Sequence, residues 1–188
     1  PGFILKPHCR AEAPWADNNR IKGISYRQEN GTLQTLAADL VVDASGRNTQ
    51  LPKWLETLGY PQAPETVVNS FLGYASRWYR PNTVGEAIQG VIVSNKPGVT
   101  RRGGVLYPVE NNSWVVTLSG VAKDYPPNDE VGFLEFAKSL RSPLIYEALR
   151  QAQPISPIHS YRRTENRWCH YEKLPTLPGG LVALGDAV

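Results

Sequence analysis

Two short apolar runs end in residues suited to hold a ligand. DLVVDASGR (39–47) closes on Ala44-Ser45-Gly46, and GLVALGDAV (180–188) closes on Gly185-Asp186. In open α/β sheets, ligands bind at the carboxyl ends of the strands. Gly46 has no Cβ, so a flat or bulky group can approach its backbone, although a turn alone would also call for glycine. Asp186 sets a carboxylate at a strand end, where it can accept hydrogen bonds from sugar-like hydroxyls or simply face solvent. Arg47 has two readings, a contact to a cofactor phosphate or ribose and an ordinary surface arginine. Asp43 reads as structural, bonding to backbone nearby.

These residues need strands to position them. In RIKGISYRQENGTLQTLAADLVVDASG (20–46) the pair Ile24 and Tyr26 alternates as a half-buried strand does, with Ile21 out of step. Asn30-Gly31 predicts a tight hairpin turn with two positive φ angles. Leu33 and Leu36 carry the return, and Asp39 opens a third strand, Leu40-Val41-Val42. That run is apolar on both faces, as in a central parallel strand under helices. LPKWLETLGYP (51–61) predicts a short helix ended by Gly59 and Pro61.

Four β-like stretches follow at 67–80, 86–94, 103–109 and 113–122, separated by turn residues. Their spacing predicts an antiparallel sheet with hairpin links. PPNDEVGFLEFAKSLRSP (126–143) predicts a helix capped by Asn128 or Asp129, with Phe133, Leu134, Ala137 and Leu140 on one face. Ser142-Pro143 predicts a capped start for a second helix, LIYEALRQA. PISPIHSYRR reads as extended, and Pro178-Gly179-Gly180 turns into the last apolar run.

Composition bounds the classes. The 188 residues are 41% hydrophobic and 20% charged, ordinary for a folded chain. The formal net charge of +3 is too mild to argue for a nucleic-acid partner. No run is long and apolar enough for a membrane span, and none reads as a signal segment. Peripheral membrane contact stays open. Cys9 and Cys169 lie far apart and read as reduced thiols, which points to the cytoplasm. The sequence has no methionine and stops on an apolar run, so it reads as a piece of a longer polypeptide.

Other candidates for chemistry are weaker. Cys9, His159, Cys169 and His170 do not form a metal-binding pattern. No nucleophile elbow accompanies the serines, so no triad is expected. YRRTENRWCHY (161–171) mixes arginines with rings; it reads as an amphipathic edge, or as RNA-binding if the rings stack on bases. Among Phe71, Tyr74, Trp78, Tyr79, Tyr107 and Trp114, an unbroken strand puts Phe71 and Tyr79 on one face and Tyr74 and Trp78 on the other. Most are expected to be core. Tyr107 is the wall candidate for a substrate cavity, because Pro108 beside it implies an edge.

DLVVDASGRNTQLPKWLETLGY and GGLVALGDAV resemble two cofactor-contacting segments of FAD-dependent monooxygenases and reductases of the para-hydroxybenzoate hydroxylase and geranylgeranyl reductase type. Such proteins carry an antiparallel-sheet substrate domain between these segments, so the resemblance spans nearly the whole chain. It implies an α/β (α+β) fold: part of a doubly wound FAD-binding domain with an inserted antiparallel-sheet domain. The expected divisions are 1–60, 61–172 and 173–188. It implies that Asp186 contacts the ribityl chain of FAD, with Gly185, Ser45, Gly46 and Arg47 also at the cofactor. Ser45 stands where aromatic hydroxylases usually have Asp, which favours a broader oxidoreductase over a hydroxylase. The family's Gly-x-Gly-x-x-Gly segment is absent from this sequence. The implied activity is transfer of hydride from a nicotinamide, NAD(P)H, to FAD, then oxidation or reduction of a small apolar, aromatic or isoprenoid-like substrate. The 188 residues alone are expected to be inactive, and no acid or base stands out. The competing reading is a stand-alone β-rich module that binds an apolar ligand.

Overall fold

A computed structural model of the chain describes residues 2–82 and 89–188. In chain order its strands and α-helices begin with β1 (Cys9–Asp17), β2 (Arg20–Gln28), β3 (Leu33–Ala37), β4 (Val41–Asp43), α1 (Leu51–Thr57) and β5 (Glu65–Val68). Then come β6 (Gly73–Pro81), β7 (Val91–Val93), β8 (Arg102–Val109), β9 (Ser113–Gly120), α2 (Glu130–Lys138), α3 (Leu144–Gln151), β10 (Ala152–Pro154) and β11 (His159–Tyr161). The chain ends with β12 (Asn166–Cys169) and β13 (Leu181–Ala183). It divides into two units, Pro1–Val67 with Arg167–Val188, and Val68–Asn166.

In the first unit β1, β2 and β3 form an antiparallel meander. Bulges at Ala11/Ala13 and Trp15/Ala16 interrupt the pairing of β1 with β2. The β2–β3 turn differs from the expected one. Only Gly31 has positive φ, at 83°, while Gly31 N donates to Gln28 O and Gln28 N to Thr32 O. This is a type I turn followed by a left-handed glycine, a longer loop than the two-residue hairpin. Ile21, expected out of step, is the fully buried residue of β2.

β4 and β13 pair in parallel, Val41 with Leu181 and Asp43 with Ala183. α1 ends as its sequence predicts: Gly59 N donates to Glu56 O and Tyr60 N to Leu55 O. Leu51 and Leu55 of α1 pack with Cys169 and Tyr171 in a small core. The expectation that β4 is covered on both faces fails. Leu40, Val42, Val182 and Leu184 are all exposed, so one face of this two-stranded sheet is apolar and open.

The second unit is built on an antiparallel sheet in the order β10–β6–β9–β8–β7, with β11 also on β6. Hairpin links hold for β7–β8–β9, but β6 lies beside β9 rather than β7. The stretch expected as one strand over 67–80 is broken between β5 and β6, where Phe71 takes a positive φ of 49°. Residues 86–88 of the expected second stretch lie outside the described residues.

Ala75, Tyr79, Leu106, Val116 and Leu118 face α2 and α3, which bring Phe133, Phe136, Ala137, Leu140, Ile145 and Leu149. Phe136 takes the core place expected for Leu134, which is only partly buried. Asp129 caps α2 by accepting from Gly132 N at 2.8 Å. α3 starts one residue later than expected: Pro143 occupies the cap position and makes no side-chain cap bond.

One ion pair fastens the β9–α2 connection to the sheet. Arg102 Nε and Nη2 each donate to the Asp124 carboxylate at 2.8 Å, and Nη1 donates to Ser139 Oγ at 2.8 Å. The guanidinium lies 4.4 Å from the centre of the Phe136 ring. Its hydrogen bonds hold the Asp124 carboxyl below the usual carboxylate range.

Two outcomes are expected. Phe133→Ala should cost about 3–5 kcal/mol in urea unfolding, because it opens a cavity in a closed core. Asp124 has a depressed folded pKa, so its contribution is present above the unfolded value of about 3.9 and is lost as pH falls through the folded one. The Tm difference between wild type and Asp124→Asn should therefore be largest near neutral pH and shrink as pH falls through that folded pKa.

Candidate functional site: two paired turns

The carboxyl ends of β4 and β13 lie side by side. Beyond Asp43 the chain enters a 3-10 helix, Gly46–Asn48; beyond Ala183 it enters another, Gly185–Ala187. Leu184 N donates to Asp43 O at 2.9 Å, extending the parallel ladder to the lip of both turns, and the two turns touch.

Asp43 organises the first turn. It is 7% exposed. Its Oδ1 accepts from Ser45 N at 3.0 Å and from Ser45 Oγ at 2.6 Å, while Oδ2 accepts from Thr49 Oγ1. Thr49 Oγ1 in turn accepts from Leu51 N at 2.9 Å, which satisfies a free N–H at the start of α1. One carboxylate thus fixes the path from β4 through Gly46 to α1.

Gly46 and Gly185 have φ of 76° and 64°, a region that L side chains rarely adopt. No heavy atom lies within 4 Å of where a Cβ would stand on either. Backbone conformation, rather than packing, requires glycine at both places, and the space above them is open. Asp186 is exposed on the second turn, Ser45 is exposed on the first, and Arg47 is half-buried and engaged within the chain. The structure thus gathers Ser45, Gly46, Arg47, Gly185 and Asp186 at one end of the two-stranded sheet.

Tyr171 supports the second turn from below. Its buried hydroxyl points to Ala187 O at a long 3.4 Å. Burial, with Cys169 beside it, pushes the phenol well above its ordinary range, so it stays a proton donor. Cys169 is buried against Glu65, and both effects push its thiol up. An apolar hollow of about 270 Å³ opens next to these residues, lined by Leu51, Leu55, Tyr171, Leu181, Ala183 and Val188 among others.

Tyr107 belongs to the second unit. Register puts Tyr107, Val115, Thr117, Ser76, Trp78 and Tyr74 on the sheet face opposite α2 and α3. Among the described residues, β7 pairs only with residues 104–106 of β8. Tyr79 and Trp114 belong to the core face instead. Trp78 meets the His159 ring edge-on at 6.2 Å, and Ser76 and Thr117 share a hydrogen bond of 2.7 Å in the middle of the open face. The alternation expected for this stretch holds within β6, with Tyr74 and Trp78 on one face and Tyr79 on the other. The expectation that most of these rings are core fails for Phe71, Trp78 and Tyr107, which are exposed.

The arginines of 161–171 are engaged within the chain. Arg162 lies over the Tyr125 ring at 4.8 Å, and Arg167 pairs with Glu65 at 3.3 Å. Among the described residues no three metal-ligating side chains converge, and no helix is long and apolar enough to cross a membrane.

No family profile matches the chain. It is similar to Protein Rv3254 of Mycobacterium tuberculosis, 36% identical over 162 residues; the match covers 86% of this chain and 34% of the relative. The chain therefore spans about a third of the length of the curated relative it matches. Among solved structures it is similar to the flavin-dependent brominase Bmp2, with a TM-score of 0.66 at 14% identity, over 94% of this chain and 42% of that one. It is also similar to the myxobacterial chondrochloren halogenase CndH, an FAD-dependent halogenase, with a TM-score of 0.64 at 17% identity, over 96% and 40%. A geranylgeranyl bacteriochlorophyll reductase-like protein of Thermoplasma acidophilum gives a TM-score of 0.56 at 14% identity, over 95% and 41%. The chain thus has the mixed α/β fold of a part of these flavoproteins.

The Asp43 cluster makes a direct prediction. Asp43→Ala leaves Ser45 N and two hydroxyls without their acceptor, so it should cost about 1–3 kcal/mol in urea unfolding. Thr49→Val should cost less, since it removes one link of the chain.

Proposed function

We propose that this chain is part of an FAD-dependent oxidoreductase, acting as a monooxygenase or reductase on a small apolar molecule. The observation that carries the reading is the pair of open glycine turns at the ends of two parallel strands. Asp186 would accept hydrogen bonds from the ribityl hydroxyls. Gly46 and Gly185 would leave room for the cofactor, and Ser45 and Arg47 would meet it from the first turn. The residues fit such a group: an exposed carboxylate acceptor stands beside two backbone positions with no Cβ and empty space above them. The fold shared with flavin-dependent enzymes adds support.

When bound, FAD would accept hydride and supply the redox chemistry, with NAD(P)H as donor. This chain's residues would bind and orient. The open face with Tyr74, Trp78 and Tyr107 would take the apolar substrate, the two hydroxyls of Ser76 and Thr117 offering the polar contact at its centre. The cytoplasm is the proposed location. Because the chain spans a third of its relative, the activity is proposed for the longer polypeptide.

The test is a fluorescence titration of FAD into that polypeptide. Asp186→Ala should weaken binding about 10–100-fold, the loss of hydrogen bonds to a charged acceptor. Binding unchanged by Asp186→Ala and by Gly46→Val would overturn the reading. The 188-residue chain alone should bind FAD weakly or not at all.

A further inference from the structure

The first unit holds a second group of reactive side chains, on β5 and the segment that follows β12. His170 is 6% exposed. Its Nδ1 lies 2.7 Å from Glu172 Oε1, and its Nε2 lies 2.8 Å from Thr66 Oγ1. Trp168 covers the imidazole with ring centres 4.3 Å apart, and His170 N donates to Pro64 O at 2.8 Å. Backbone and ring are therefore both held in place.

The protons can be assigned from chemistry. The hydrogen bond to His170 keeps the Glu172 carboxyl below its usual range, so it is an acceptor only. Nδ1 must then carry a hydrogen, and in the neutral imidazole Nε2 is left as a lone pair facing the Thr66 hydroxyl. Thr66 lies on β5, all four residues of which are exposed, and its hydrogen bond to the imidazole is part-buried. A hydroxyl on a base, and that base on a carboxylate that fixes its tautomer, is the arrangement that activates a nucleophile.

We propose that Thr66 is an activated nucleophile that accepts an acyl group from activated esters, with His170 as its base and Glu172 as the residue that orients the base. In the step, Thr66 Oγ1 bonds to the ester carbonyl carbon and its proton passes to His170 Nε2. The carbon–oxygen bond to the leaving group breaks, and the departing alkoxide or aryl oxide carries away the electron pair. Water then cleaves the threonyl ester by the same proton path. The proposal is independent of flavin binding. A hydroxyl–imidazole–carboxylate relay without dedicated oxyanion donors forgoes a factor of about 10²–10³. The expected behaviour is therefore one slow acylation per chain rather than fast turnover.

The test uses the 188-residue chain with p-nitrophenyl acetate. The expected result is release of about one equivalent of p-nitrophenolate, with one acetyl group mapped by mass spectrometry to the peptide containing Thr66. Thr66→Val and His170→Gln should abolish that label, Thr66→Ser should retain it, and Glu172→Gln should slow it at least tenfold. Circular dichroism of each variant separates lost chemistry from lost folding. Should His170→Gln fail to fold, Glu172→Gln, which alters only an exposed carboxylate, decides the matter. An acetylation rate in Glu172→Gln or Thr66→Val equal to that of wild type, or acetyl found only on lysines or Cys9, would overturn the proposal. It would leave Thr66, His170 and Glu172 as a staple between β5 and the segment after β12.

Discussion

The Asp43 carboxylate is the constraint on which the candidate cofactor end depends. A nearly buried carboxylate is costly unless its lone pairs are filled. Here they are filled locally, by Ser45 N, Ser45 Oγ and Thr49 Oγ1. Each bond bends the chain a little further, so that β4 cannot run on and Gly46 must take a left-handed conformation. The same residue's carbonyl accepts from Leu184 N and so ties the second turn to the first. Side chain and backbone of one residue thereby align both glycine turns. A neutral amide at this position could not accept from all three donors, because one arm of the amide is itself a donor.

The second unit reaches order by a different route. Its sheet buries one face beneath α2 and α3, and the closure runs through Arg102. A planar guanidinium can bond a carboxylate with two parallel hydrogen bonds, reach Ser139 with a third nitrogen and lie on the Phe136 ring at the same time. A lysine has neither the fork nor the flat face. Because this clamp joins the first residue of β8 to the loop before α2, the opposite face of the sheet is not needed for closure. That face is free to carry rings and hydroxyls chosen for something other than stability.

Much of this architecture was legible in the residues, and the failures have physical causes. The antiparallel stretches, the helices and the two small-residue strand ends follow from local pattern, which needs only neighbours in sequence; that the two ends belong together was implied by the family resemblance. The phase of β6 was legible, but the break before it was not, because nothing in the local pattern announces the positive φ at Phe71. The open face of β4 was misread because an apolar run does not say how many layers cover it. The Thr66–His170–Glu172 relay was beyond sequence reading, since Thr66 and His170 are 104 residues apart and meet only because β5 pairs with β12.

The division of labour among these parts bears on what the chain's own chemistry can be. A redox cofactor brings its reactivity with it, and the protein around it needs carboxylates, glycines and shape more than acids and bases. The paired turns answer that description with an exposed Asp186 and two open glycines. The one imidazole held between a carboxylate and a hydroxyl lies instead against β5, built from different elements. Groups that serve one reaction are ordinarily set within hydrogen-bond reach of one another. The two clusters offer opposite chemistry, one suited to holding a cofactor and the other, as proposed, to moving a proton.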